Sequence, residues 1–167
     1  MIEDDQEPDA RRRVEASRSS NEPHLAEDAP KRFDIELFIV HPTIDPSELT
    51  RTLGLEAHFV HRVGDQRKTP KDTLLPGTYR DTRWRHCRQY ETHGQWFADE
   101  VAKLIDDLEP HKAFLRHLRA TGGSACIVIQ LLGDGYFGEV IGCSVLAKLV
   151  DLELEIGVES FVVPQSE

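Results

Sequence analysis

Phe33-Asp34-Ile35-Glu36-Leu37-Phe38-Ile39, running through Val40-His41-Pro42 into Thr43-Ile44-Asp45-Pro46-Ser47-Glu48-Leu49, is the stretch that decides the class of fold. Phe33, Ile35, Leu37 and Ile39 alternate with Asp34 and Glu36, a period of two that marks a strand with one buried and one mostly wet face. His41-Pro42 ends the strand, because the residue before proline avoids helical geometry and proline has no N–H for a ladder. Asp45 is then a natural N-cap, Pro46 suits the first helical position, and Glu48 completes a capping box. Ile44 and Leu49 are spaced as a hydrophobic staple across that cap. Gly54 closes the helix, with Leu55 placed for the apolar contact of a Schellman turn, so a helix over Pro46–Leu53 is expected.

Outward from there, His58-Phe59-Val60-His61 and the stretch from Thr78 to Arg88 read as strands. They flank a polar loop with Gly64-Asp65, Pro70 and Pro76-Gly77, and a loop that long in a small domain marks a mobile or functional segment. Thr92 and Gln95 form a second capping box, behind which Phe97, Val101, Leu104, Ile105 and Leu108 trace one helical face. Pro110 breaks or restarts that helix, Phe114, Leu115 and Leu118 continue it, and Gly122-Gly123 stops it. Ala125 to Leu132 is nearly all apolar, as a central strand covered on both faces would be, and Asp134-Gly135 signals a hairpin after it. Val145, Leu146, Leu149 and Val150 mark a short helix. Leu152, Leu154, Ile156 and Val158, alternating with Asp151, Glu153, Glu155 and Glu159, give a last half-buried strand. The expected class is α+β: an antiparallel or mixed sheet with one long and two short helices packed mainly on one face.

The chain of 167 residues is 39% hydrophobic and 30% charged, enough for one domain, expected over residues 32–163. Residues 1–31 hold only Ile2, Val14 and Leu25 as large aliphatics beside Met1, together with the cluster Arg11-Arg12-Arg13. They read as a disordered acidic tail, with residues 164–167 as a disordered C-terminus. The longest apolar run, from Ala125, stops at Gln130, far short of a bilayer span, and no secretory h-region opens the chain, so no membrane association is expected. Cys87, Cys126 and Cys143, odd in number and without CxxC spacing, point to reduced thiols and a cytoplasmic location.

Net charge is −10, which disfavours generic binding to a polyanion and makes nucleic acid an improbable partner. The distribution is uneven: residues 62–88 hold eight basic against three acidic side chains, between acidic ends. Asp34, Glu36, Glu153 and Glu155 would repel if the first and last strands were neighbours, and Arg83 and Arg85 are the obvious internal neutralisers. The basic middle therefore reads first as charge balance within the molecule. Its arginines also interleave with Tyr79, Trp84 and Tyr90, and arginine beside aromatics can stack bases or anchor a protein. Trp84 reads first as a core residue.

Catalytic signals are weak. Gly133-Asp134-Gly135-Tyr136-Phe137-Gly138 fits GxGxxG, but Asp134 would face a pyrophosphate with like charge and too little chain follows for a second nucleotide-binding half. His58, His61, His86, Cys87 and His93 invite a metal reading, yet the His-x-x-His spacing does not share a strand face. Cys87 has arginines nearby, but His86 as its immediate neighbour points to the other face of a strand. The expectation is a protein that is not an enzyme, with neither metal nor cofactor.

In order along the chain, the opening strand, the Asp45-Pro46-Ser47-Glu48 cap and the Leu53-Gly54-Leu55 close are followed by the Arg62-Val63-Gly64-Asp65 step and Trp84. The long amphipathic helix and the helix–strand from Leu146 to Val158 complete the series. Together these resemble the bacterial family known as the domain of unknown function DUF4279, over about residues 33–162. The resemblance implies an α+β domain of similar topology and transfers no catalytic residues. The candidate binding residues are Arg62, Asp65, Arg83, Trp84 and Arg85. The leading expectation is a non-catalytic protein-interaction module, like immunity proteins that neutralise a toxin, with a protein partner for which a basic one suits the acidic faces. The alternative is binding of an anion, a nucleotide or nucleic acid through residues 62–88. Monomer and homodimer are both compatible with the sequence.

Overall fold

The alternation of Phe33, Ile35, Leu37 and Ile39 builds β1 (Arg32–His41), whose four apolar side chains are at most 1% exposed. A computed structural model describes residues 32–91, 94–133 and 137–161. The expected tails over residues 1–31 and 164–167, and the Asp134-Gly135 turn, lie outside those residues. The chain continues through α1 (Pro46–Leu53), β2 (Phe59–His61), β3 (Gln66–Lys68), β4 (Leu74–Thr78) and β5 (Thr82–Glu91). It then forms α2 (Phe97–Leu108), a 3-10 turn (Glu109–His111), α3 (Lys112–Ala120), β6 (Ser124–Leu132), α4 (Cys143–Asp151) and β7 (Glu155–Phe161).

Five strands form one mixed sheet in the order β2-β5-β1-β6-β7. β1 lies at its centre, antiparallel to β5 and β6, and β7 is parallel to β6. The first and last strands are thus separated by β6, and the acids of β1 and β7 are not direct cross-strand neighbours. β3 and β4 form a separate two-stranded sheet inside the long loop. Its exposed Gln66, Arg67 and Lys68 carry no apolar alternation, so the period of two that reveals the other strands is missing.

α1 starts as its sequence dictates: the Asp45 carboxylate accepts from the Ser47 N–H at 2.9 Å, and Gly54 closes it at φ 66°, a conformation glycine adopts without strain. α2 starts differently from the Thr92–Gln95 expectation. Its N-cap position is Trp96, which has no side-chain cap, and the orphan Ala98 N–H donates instead to the Glu139 carboxylate at 2.8 Å. A distant acid takes the role assigned to a local box. Pro110 falls in the 3-10 turn between α2 and α3, so the two read as one long helical segment with a kink.

α1, α2, α3 and α4 contribute Leu49, Leu53, Phe97, Val101, Leu104, Ile105, Leu108, Leu115, Leu118 and Leu149 to a single core. The sheet answers with Phe33, Ile35, Leu37, Ile39, Trp84, Ala125, Ile127 and Ile129. The helices pack on that one face, which is the expected α+β architecture. Gly123 seals one end: a Cβ there would stand 2.6 Å from the His41 ring and 2.9 Å from the Leu118 carbonyl oxygen, so the backbone approach is possible only without a side chain.

Two local expectations are corrected. β6 is covered on one face only: Ala125, Ile127 and Ile129 are buried, whereas Cys126, Val128 and Gln130 are half-buried on the other side. The apolar run reflects filling by neighbours on the open face rather than a second helical layer. Leu152 and Leu154 are buried but precede the last strand. They belong to a Schellman close of α4, in which the Leu154 N–H donates to the Leu149 carbonyl and the Glu153 N–H to that of Val150. Glu153 takes the left-handed conformation at φ 55°. The alternation of Leu152 through Val158 runs across this turn, and Ile156 and Val158 lie on an exposed edge strand.

Candidate functional site on the uncovered sheet face

Strand register lays out the face that no helix covers. Side by side on it stand Phe59, Arg85, Phe38, Cys126 and Glu155 in one row, and His61, Arg83, Val40 and Ser124 in the next. On the other side of the first row come Cys87, Glu36, Val128 and Gly157, then Gln89, Asp34, Gln130 and Glu159. One half is therefore aromatic and basic, the other acidic.

Arg85 joins the halves. Its guanidinium pairs with Glu36 at 3.4 Å and lies over the Phe38 ring at 4.5 Å and the Phe59 ring at 5.6 Å. Its Nε is buried without a hydrogen-bond partner. Phe59 stays 41% exposed, and its ring leans on His61, which stacks on Tyr79 at 3.9 Å. Burial, and then Arg83, hold His61 below the usual histidine range, so its ring is neutral at pH 7 and serves as an aromatic surface. Glu36 is only 8% exposed, and burial pushes its carboxyl up, against the opposing pull of Arg85 and with the help of Glu159 and Asp34.

The five residues singled out from the sequence are dispersed. Arg83 and Arg85 share the uncovered face. Trp84 points to the opposite one, fully buried, with its indole N–H donating to Thr50 Oγ1 at 3.0 Å. Arg62 pairs at 3.0 Å with Asp45, the cap of α1. Asp65 lies in the turn after β2, where its carbonyl accepts from the Tyr79 N–H. The basic segment is largely neutralised from within: Arg83 by Asp81, Arg88 by Asp107, Lys68 by Asp72, besides Arg62 and Arg85. Sequence reasoning missed Phe59, Phe38 and Glu36 as members of one surface. Alternation assigns each to a face of its own strand, but only the register brings those faces side by side.

His58, His86, Cys87 and Cys126 sit in structural surroundings. His58 Nδ1 accepts the Cys87 backbone N–H at 3.1 Å, and His86 Nδ1–H donates to the Glu56 carbonyl at 2.7 Å. His86 and Cys87 stand on opposite faces of β5. Burial, reinforced by Asp34 and Glu36, pushes the Cys87 thiol up, and burial with Glu155, Glu159 and Glu36 does the same to Cys126. Both remain protonated at neutral pH, the unreactive form. Among the described residues no group of three or more His, Cys, Asp or Glu side chains is placed to hold a metal ion, and no helix is long and apolar enough to cross a membrane.

No curated protein and no solved structure matches the chain. The family model described as Domain of unknown function (DUF4279) matches residues 31–161. With most of its length covered by that match, the chain belongs to the DUF4279 family.

Proposed function

We propose that the chain is a non-catalytic protein-recognition module of the bacterial cytoplasm, one domain over residues 32–163, working as a monomer or homodimer. In this reading it binds its partner with the uncovered sheet face. The observation that carries the proposal is the patch of Phe59, Phe38, Arg85 and His61: an arginine held between two aromatic rings, beside an exposed phenylalanine, on a face without helical cover. Tyrosine, tryptophan, phenylalanine and arginine are the side chains that anchor protein interfaces, because each gives large contact area at small entropic cost. The protonated Cys87 and Cys126 thiols and the backbone-bonded His58 and His86 support a role without catalysis. Of the candidate binding residues, Arg83 and Arg85 belong to the patch; Arg62, Asp65 and Trp84 support the frame around it.

The alternative, capture of an anion, nucleotide or nucleic acid by residues 62–88, has against it that Arg62, Lys68, Arg83, Arg85 and Arg88 each already face a carboxylate. The test is photo-crosslinking in the source cells, with p-benzoylphenylalanine in place of Phe59 and, as a control, in place of the exposed Arg51 on α1. One discrete protein adduct at the first position and none at the second is expected. No adduct at Phe59, or the same products at both positions, would overturn the proposal. Nucleotide or oligonucleotide binding that disappears in Arg85→Met would establish the alternative.

A further inference from the structure

The acidic half of the uncovered face has a gap in its cover. Asp34, Gln130 and Glu159 form one row, and Phe38, Cys126 and Glu155 another; between them the row Glu36, Val128 ends in Gly157. At the edge strand, therefore, no side chain stands between Glu155 and Glu159. A Cβ at position 157 would sit 3.7 Å from Cys126 Sγ and 3.8 Å from Val128 Cγ2, ordinary contact distances, so there is room that glycine leaves empty. Half-buried Val128 lies in the same row between this edge and Glu36.

A second observation concerns Asp34. It is 6% exposed, its Oδ1 is buried without a hydrogen bond, and its nearest cation is Arg32 Nε at 3.9 Å. A buried carboxylate oxygen without a donor is costly, and a donor supplied from outside would offset that cost. The neighbouring acid Glu159 accepts from the Gln130 amide at 3.2 Å, and Asp34 Oδ1 receives no hydrogen bond among the described residues. β7 is moreover the outer strand of the sheet, and an extended segment can add to such an edge through main-chain hydrogen bonds, placing alternate side chains on the uncovered face.

We propose that the gap over Gly157 receives one lysine or arginine side chain from an extended basic segment of a protein partner, its stem on Gly157 and Val128 and its charged head among Glu159, Glu36 and Asp34. The inference rests on the reading of this face as a protein-binding surface. Charge complementarity selects the occupant. A second copy would bring Glu155 and Glu159 against the same residues and add its own net charge of −10. A basic strand meets Glu159, which carries no cation of its own among the described residues, and beyond it Glu36 and Asp34, whose cations Arg85 and Arg32 stand at 3.4 and 3.9 Å; Glu155 is already held by Arg119.

The test uses the full-length, isotope-labelled chain, titrated at low salt with the blocked peptide acetyl-Thr-Lys-Thr-Arg-Thr-Lys-Thr-amide and followed by amide chemical shifts. Shifts centred on Gly157, Val128 and Glu36 are expected. Gly157→Val fills the gap, leaves the net charge unchanged and suits a strand; it should weaken binding about tenfold or more, with Gly157→Ala in between. Shifts centred on the acids of α2 and its following turn, or a Gly157→Val affinity within about twofold of the parent, would show diffuse attraction and overturn the proposal. Tighter binding after Arg11→Ser, Arg12→Ser and Arg13→Ser together would place the chain's own basic cluster in the gap and overturn a partner in trans. An adduct at Phe59 combined with an unaffected Gly157→Val strikes out the gap alone; failure of both strikes out the surface.

Discussion

Arg85→Met, alone and combined with Glu36→Gln, tests whether the basic middle of the chain offsets charge within the molecule. The Arg85–Glu36 pair stands at 3.4 Å, with side-chain exposures of 39% and 10%. At an effective dielectric near 20, Coulomb's law gives about 5 kcal/mol for that separation, an upper bound. The guanidinium is more than a third exposed, so screening reduces the coupling to about 1–2 kcal/mol. Contact of Arg85 with the Phe38 and Phe59 rings is lost in both Arg85 variants and cancels from the double-mutant cycle. Urea unfolding of the four proteins at pH 7 should therefore show Arg85→Met destabilised, and that loss reduced by about 1–2 kcal/mol in the Glu36→Gln background. The pH dependence adds a sign. The folded-state pKa of Glu36 is raised above 4.5, so the stability it contributes is present below the unfolded value and lost as pH rises through the folded one. Removing Arg85 leaves that charge unopposed, so the deficit of Arg85→Met should grow with pH above this range and shrink in acid. Coupling below about 0.5 kcal/mol, or a deficit independent of pH, would refute internal neutralisation and leave the guanidinium held for something else.

Thr82 is fully buried, donates to the Ile44 carbonyl at 2.7 Å and accepts the Val63 N–H at 3.2 Å, tying the entry of α1 to the turn after β2. Thr82→Val keeps the shape and orphans both backbone groups, so it should cost about 2–3 kcal/mol in urea unfolding while Thr82→Ser stays close to the parent; equal losses would show that packing alone matters. His41 Nδ1 accepts the N–H groups of Thr43 and Ile44, and burial followed by His117 holds its pKa below 6.5. Its stabilising share is present above that value and lost as pH falls toward the folded pKa, since the unfolded state binds the proton more readily. His41→Asn, which keeps an acceptor but does not titrate, should reduce the slope of urea midpoint against pH between about 5 and 7, leaving the share of His61 and His86; an unchanged slope would remove His41 from the account.

Legibility followed the range of the forces involved. The helix Pro46–Leu53 was readable to the residue, because Asp45 and Gly54 fix its ends with bonds spanning a few positions. The face of α2 was equally plain from its apolar spacing, while its start was not: the cap comes from Glu139, forty-one residues on. The last strand begins at Glu155 rather than at Leu152, because a Schellman turn closed by a glutamate rather than a glycine preserves the alternation across a break. For the site, alternation told which side of β1 or β5 each residue takes. It could not tell that β5 brings Arg85 beside Phe38 and Phe59, or that the acids of β1 and β7 flank a glycine across β6. Register depends on the whole sheet and leaves no local trace.

The placement of Asp34 and Glu36 on the central strand explains why this face can remain uncovered. With apolar residues there, Phe38, Val40, Val128 and Phe59 would merge into a continuous patch of the kind that drives sheets together. The carboxylates break it, and they do so at the one strand every face-to-face pairing must cross. Two copies stacked on this surface would bury like charges against each other, a penalty that grows with the desolvation already visible at Glu36. The stability lost by holding acids there is partly restored by Arg85 and by the Phe38 and Phe59 rings around it. In the proposed reading the face gains discrimination: like charges oppose a second copy stacked on it, while a surface presenting a cation to Asp34, Glu36 and Glu159 and an apolar anchor to Phe59 would be favoured. On that reading, the acids that oppose stacking of two copies on this face are also the groups that would select a cationic partner.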